Sequence, residues 1–399
     1  MHRPRHAASP PADTGSDCRP FHIETERFPT DVKPSAAEAA RFRTDTDLLP
    51  ADAECFPTET GHFHADAECF LPDTGRFPAD AERFLTDTGR FPADAPRFLA
   101  AATHFLDKAR ADSPRLTAEV LLAAACGVDR ADLLKELIMS PGQPLDPAHA
   151  AKARAFIGRR AAGEPTAYIT GKKEFYGRTF TVGPEVLIPR PESELLIELA
   201  SAASPSCRHG TDKAVFADFG TGSGCLAAIL DLELPDNWRG LALDMSEGAL
   251  HLASQNCRAL GCSRVAFFRA DFNHPPLRER SLNLLVANPP YVSAEEYARL
   301  PREIREHEPK TALVPVPARG AEGNVDGSSA ALSIVRCAET LLKPGGLLLL
   351  EIGEKQGARL LSALRAGLWR EARLHTDHAG RDRALVARLR HRSGLRNID

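Results

Sequence analysis

From Ala214 onward, short apolar runs alternate with amphipathic stretches, and this alternation leaves the chain few folds to choose from. A buried strand reads as about four to eight apolar residues in a row; a helix repeats its apolar positions three and four apart. Val215–Phe219 is predicted as a strand and Leu226–Leu234 as a helix, and Gly240–Leu243 with Glu247–Leu260 repeats the pair. Strands follow at Arg264–Arg269 and Leu282–Ala287. A helix at Ala331–Leu342, a strand at Gly346–Ile352 and a helix at Gln356–Gly367 come next. Two late strands, near Glu371–His375 and Ala384–Leu389, lie either side of a short turn. The series predicts an α/β fold: a mostly parallel sheet covered on both faces, with an antiparallel edge.

The run Leu282–Ala287 ends in Asn288-Pro289-Pro290-Tyr291. Proline has no N–H for a sheet ladder, so the chain must leave the sheet there in a stiff loop. That loop begins with an amide and ends with an aromatic ring. It suits a flat, neutral NH₂ group: the Asn288 side-chain oxygen and the Pro289 carbonyl can each accept one N–H. Tyr291 can lie against the π-face.

Three further features fall at ends of earlier strands. Asp218-Phe-Gly220-Thr221-Gly222-Ser223-Gly224 joins the first strand to its helix. Its glycines let backbone approach a ligand, and the helix start offers free N–H groups. It carries no Gly-Lys-Ser/Thr and departs from GxGxxG, which points to a ligand without a pyrophosphate. Asp244 ends the second strand, where a carboxylate can take both hydroxyls of a ribose. It could instead cap the helix at Glu247, a task for which Ser246 is an equal candidate. Asp271-Phe272 ends the third strand; the acid or nearby backbone can read an adenine amine while Phe272 packs on the ring. Together these positions predict a nucleoside-bearing cofactor in the crevice at the carboxyl ends of the strands.

The chain before Ala214 divides into three parts. Residues 1–98 contain a 14-residue repeat starting at Ala51, Ala65, Ala79 and Ala93, too short and too broken by Pro and Thr-Gly to stack as a solenoid. It reads as a disordered tail. Residues 99–163 are helical, with Leu116, Val120, Leu121 and Ala124 on one face, Leu133, Leu134 and Leu137 on the next helix, and a third helix from Pro147 to Arg160. This small bundle reads as a substrate-recognition domain. Residues 164–194 read as a β-hairpin linker, residues 195–392 as the catalytic domain and 393–399 as a tail.

Bulk properties exclude several classes. Fifty basic and 54 acidic residues give a net charge of −4, so no basic field advertises nucleic acid binding. Nine scattered cysteines without a CxxC pair read as reduced thiols in the cytoplasm, not as a zinc site. The opening MHRPRHAASPPADTGSD has no apolar stretch of a secretory signal, and no run approaches the ~18 residues of a membrane helix.

The glycine loop, the second-strand acid and the Asn-Pro-Pro-Tyr loop together resemble class I S-adenosylmethionine-dependent methyltransferases acting on planar nitrogen. The chain is more closely similar to the HemK/PrmC family, the peptide chain release factor glutamine N5-methyltransferases. The resemblance runs from about Leu99 to Leu389. Its most specific segments are Ile188-Pro-Arg-Pro-Glu192 and Ala379-Gly-Arg-Asp-Arg383, with Ser113-Pro-Arg-Leu116, Gly163-Glu-Pro165 and Glu308-Pro309 in support. It implies a Rossmann-like domain preceded by a helical bundle. It implies cofactor contacts at Gly220 to Gly224, Asp244, Phe272 and Asn288, and glutamine contacts at Asn288 to Tyr291. S-Adenosyl-L-methionine would be consumed to S-adenosyl-L-homocysteine without a metal. The target would be the glutamine of a Gly-Gly-Gln loop in a release factor, met by a monomeric enzyme with no membrane or nucleic acid contact. A ribosomal-protein glutamine or an adenine N6 in DNA are the alternatives. Phe272 stands where the family has Trp, Thr117 where Asp is common, 315–326 reads as an insertion, and 1–98 has no counterpart.

Overall fold

The computed structural model describes residues 94–140, 142–203, 213–315 and 326–391; the repeats up to residue 93 and most of the 315–326 insertion lie outside them. The first helix, α1 (Ala95–Lys108), starts within the last repeat unit. Asp94 caps it, accepting the Arg97 N–H at 3.0 Å, and Pro96 sits in the first turn, where its missing N–H costs nothing. Phe98 is fully buried. The helical domain therefore begins at Ala95, not at Leu99. Next come the expected helices α2 (Pro114–Cys126), α3 (Arg130–Met139) and α4 (Pro147–Ala161), but α2 buries Ala118, Leu121, Leu122 and Ala125 and leaves Leu116 exposed, so its inner face is not the one the sequence spacing picked out. Leu99, Leu106, Leu121, Leu122 and Ile157 join Phe98 in their core.

The stretch 164–194 is not hairpin throughout. Thr166–Thr170 is one helical turn, α5, closed by Gly171 at φ 69°. Its β-branched residues mimic a strand, but consecutive Tyr168 and Ile169 are both buried, which a one-sided strand does not allow. Only β1 (Lys172–Phe175) and β2 (Arg178–Thr181) pair, antiparallel. Nor is the hairpin a mere linker. Phe175 and Phe180 belong to the core beneath the large sheet. Asn256 accepts the Thr181 N–H at 2.8 Å and donates to its carbonyl at 2.9 Å.

A 3₁₀ turn (Pro191–Ser193) and α6 (Glu194–Ala203) lead to β3 (Ala214–Phe219), α7 (Cys225–Glu233), β4 (Trp238–Asp244), α8 (Glu247–Ala259), β5 (Val265–Arg269) and β6 (Leu282–Ala287). Three short helices follow that periodicity did not reveal: α9 (Ala294–Arg299), α10 (Arg302–His307) and α11 (Lys310–Leu313). Each is about one to two turns, too short for a helical repeat to register. The chain closes with α12 (Ser329–Leu341), β7 (Leu342–Glu351), α13 (Gly357–Ala363), β8 (Trp369–Thr376) and β9 (Asp382–Leu389).

The seven strands lie in the order β5-β4-β3-β6-β7-β9-β8. The first five are mutually parallel; β9 is antiparallel to both β7 and β8. The last strand is thus inserted, and β8 alone forms that edge. Composition explains the exchange. Ala384, Leu385, Ala387 and Leu389 of β9 are buried, whereas Arg370, Glu371 and Arg373 place charge on β8, as an exposed edge requires. Every residue of β3 is buried. Val215, Ala217 and Phe219 pack with α12; Ala214 and Phe216 pack on the opposite face with α6 and α7. Strand order reverses between β3 and β6, which opens a crevice at their carboxyl ends.

Candidate active site

A cavity of about 1360 Å³ occupies that crevice. It exceeds the roughly 300–1,000 Å³ of ordinary small-molecule sites, so it has room for more than one ligand group. One wall is the turn from β3 into α7. Gly220 and Thr221 both donate their N–H to the Leu243 carbonyl, at 2.8 and 2.9 Å, which lays the turn across the end of β4. Gly220, Thr221, Gly222 and Ser223 line the cavity; Gly224 does not. Gly224 caps α7 at φ 78°, and a Cβ there would stand 2.8 Å from that of Ala253. Its small size serves helix packing.

Asp244 accepts the Gly222 N–H on Oδ2 and the Ser246 N–H on Oδ1, both at 2.9 Å. Burial raises its pKa, and the backbone N–H groups of Ser246, Gly222 and Met245 oppose that. A carboxylate offers about four acceptor sites, so room is left for a further donor. The capping role falls to Ser246, whose hydroxyl accepts the Ala249 N–H at 3.2 Å. Asp271 and Phe272 also line the cavity. Asp271 Oδ1 is already engaged by the backbone and side-chain N–H groups of Asn273. Phe272 packs against the sheet core with one face of its surroundings left to the cavity. Beneath the turn, Asp218 is fully buried. Its Oδ2 accepts from Thr221 Oγ1 at 2.7 Å, its Oδ1 has no partner among the described residues, and burial pushes its acid up to about 7.

Asn288 and Pro290 line the cavity; the Pro289 and Tyr291 contacts expected from the sequence are not brought to it, Pro289 being buried and Tyr291 half-buried. The Asn288 amide nitrogen donates to Ser193 Oγ at 3.0 Å. Ser193 donates to Glu351 Oε2 at 2.5 Å, and the Tyr291 hydroxyl donates to Glu351 Oε1 at 3.2 Å. Burial raises the Tyr291 pKa and fully buried Glu351 shifts the same way; the Ser193 bond, Arg383 and the Tyr291 bond oppose the latter. The Tyr291 carbonyl accepts from Gln356 Nε2 at 2.9 Å, which also reaches the Asp326 carbonyl at 2.7 Å. Gly327 crosses behind at φ 74°, where a Cβ would lie 2.0 Å from the Tyr291 oxygen.

Residues 97–171 match the family of the PrmC N-terminal domain, and residues 216–307 that of a methyltransferase domain. Over 286 residues the chain is 44% identical to the release factor glutamine methyltransferase of Nitratidesulfovibrio vulgaris, spanning 71% of this chain and 91% of that one. The chain belongs to the release factor glutamine methyltransferase family. Family members from Moorella thermoacetica and Cereibacter sphaeroides are 41% and 38% identical, over 69% and 72% of this chain and 92% and 96% of theirs.

In this release factor glutamine methyltransferase family member, the Ile188–Glu192 segment places Pro189 and Arg190 on the cavity lining, whereas Ala379–Arg383 lies outside it. Buried Glu308 accepts from the Ile188 N–H and the Arg190 guanidinium, pinning the Ile-Pro-Arg-Pro-Glu segment beside the site. Asp377 accepts from the backbone of Ala379 and Arg381 and from the side chains of Arg381 and Arg383. Arg381 also faces Glu192 at 3.9 Å. Ser193, Glu351, Gln356 and Asp218 are the polar residues that sequence reasoning left without a role. Glu351 did leave a signal, a lone acid ending the apolar run Leu347–Leu350. Ser193 and Gln356 left none.

Proposed function

We infer that this protein transfers a methyl group from S-adenosyl-L-methionine to the side-chain amide nitrogen, N5, of the glutamine in the Gly-Gly-Gln motif of peptide chain release factors. Membership of the family carries the assignment. The residues present fit the cofactor: the Asp244 carboxylate suits a ribose and the Phe272 ring an adenine face. The cofactor supplies a methyl group already activated on a sulfonium centre and leaves as S-adenosyl-L-homocysteine.

The protein's own work is positioning, because an amide lone pair is delocalised into its carbonyl and attacks poorly. In our reading, Asn288 Oδ1 accepts an N–H of the glutamine, aiming its nitrogen and stabilising the positive charge that grows there. Pro290 covers the amide from water. Tyr291, its hydroxyl on Glu351, braces the loop instead of contributing a proton. The product's extra proton is strongly acidic and passes to water. Gly220 to Ser223 and Asp244 hold the cofactor, with Asp271 a weaker contributor because Asn273 already occupies one oxygen.

The same reading makes the helical domain at 95–163 the part that recognises the release factor. Arg160 of α4 meets Glu303 of α10 at 2.6 Å, which ties that domain to the segment following Tyr291. We place the enzyme in the cytoplasm as a monomer acting on protein, not nucleic acid; no described helix is long and apolar enough to cross a membrane. Incubation with labelled S-adenosyl-L-methionine and, separately, a release factor, a ribosomal large-subunit protein and duplex DNA tests the assignment. Label is expected on the release factor glutamine. Label on DNA, or on the ribosomal protein alone, would overturn it.

A further inference from the structure

We propose that Ser193 and Glu351 are positioning residues that decide which end of the Asn288 carboxamide faces the cavity, and thereby select an amide substrate over a carboxylate. The inference rests on the proposed function for its substrate, but its geometry stands apart from it. The two ends of a carboxamide have nearly the same shape and opposite hydrogen-bonding character, so neighbours must set the orientation. An ionised carboxylate only accepts. Glu351 takes the Ser193 proton on one oxygen and the Tyr291 proton on the other. With its proton spent on Glu351, the Ser193 oxygen is left to accept, and it accepts from Asn288 Nδ2 at 3.0 Å. The polarity therefore runs in one direction from Glu351 to Asn288. Among the described residues nothing donates to Asn288 Oδ1, which stays available on the cavity side.

The acceptor end is the one an amide needs. A glutamine NH₂ brings donors to Oδ1. A glutamate brings only lone pairs and would face acceptors. Turned over, Asn288 would present Nδ2 and reverse that preference. A buried carboxylate is costly unless fully hydrogen-bonded, and this one sits in the interior with its two donors close to Arg383. Ser193 reaches Asn288 across 95 residues of sequence and Glu351 across 158, so three separate segments agree on one orientation.

The test uses the full-length, ¹⁵N-labelled protein. The Asn288 side-chain NH₂ resonances are identified by their loss in Asn288→Ala, and their solvent exchange is followed in wild type, Ser193→Ala and Glu351→Gln. Exchange is expected to be slow in the wild type and at least about tenfold faster in both variants, as for a bond opened locally. In parallel, kcat on the release factor is expected to fall about 10- to 100-fold in both variants, with KM for the cofactor and Tm unchanged, as for an interaction made toward the transition state. Ser193→Thr, which keeps the hydroxyl, should restore both readouts. Unchanged NH₂ exchange in Ser193→Ala and Glu351→Gln would overturn the orientation whatever the turnover. Equal losses in kcat, cofactor KM and Tm would reduce the two residues to scaffold and overturn their positioning role. A wild type that shows the exchange pattern but does not methylate the release factor would overturn the substrate assignment and leave the orientation supported.

Discussion

The two walls of the cavity are built in different ways. The glycine-turn wall is the more local one: Gly220, Thr221 and Gly222 bond to Leu243 and Asp244, and the longest side-chain link, Asn256 Nδ2 to the Ser223 carbonyl, spans 33 residues. One strand–turn–helix unit with the strand and helix that follow it completes it. The Asn288 wall is assembled from afar. Ser193 lies 95 residues before Asn288, while Glu351 and Gln356 lie 60 and 65 residues after Tyr291. A locally built wall shows both its ligand-facing residues and their supports in one stretch of sequence. A wall built by tertiary contacts shows only its ligand-facing residues.

Substitutions on the two walls should separate accordingly. The largest effect is expected from Asn288→Ala, which removes an acceptor aimed at developing charge. Turnover should fall by about 10²–10³-fold or more, the loss seen when one such group is deleted, while cofactor binding measured by calorimetry weakens but persists. Near wild-type turnover would remove Asn288 from the chemistry. Asp244→Ala should do the reverse. Loss of charge-assisted hydrogen bonds worth about 1.5–3 kcal/mol lowers cofactor affinity roughly 10- to 150-fold, with kcat at saturating cofactor largely retained. If kcat fell and affinity did not, the division between the walls would be wrong. The smallest effect should come from Ser246→Ala: about 1 kcal/mol of stability through the lost helix cap, read as a lower Tm, with cofactor affinity unchanged. A marked affinity loss there would mean that Ser246, and not only Asp244, meets the ligand.

How much was legible follows the same division. The α/β alternation, the positions of β3 to β6 and the cavity-lining Gly220, Asp244, Phe272 and Asn288 follow from patterns within about ten to twenty residues. Asp244 and Ser246 were equal candidates to cap α8, and only the structure shows Ser246 bonding Ala249 while Asp244 turns to Gly222. The turn at Thr166–Thr170 read as strand because β-branched composition outweighs periodicity over five residues. The domain boundary at Leu99 missed Phe98, whose burial no repeat pattern announces.

By itself the sequence determined the parallel sheet, the glycine turn, the acid that follows it and the stiff amide loop at the end of β6. These depend on local backbone sterics and on apolar periodicity, which neighbouring residues encode. The tertiary structure alone decided that β9 inserts between β7 and β8, that the hairpin fuses with the sheet core, and that Ser193 and Glu351 link up in a hydrogen-bonded chain to Asn288. Those outcomes depend on which distant segments become neighbours. That is settled by burying β9 instead of the charged β8, and by supplying donors to a carboxylate that folding has removed from water.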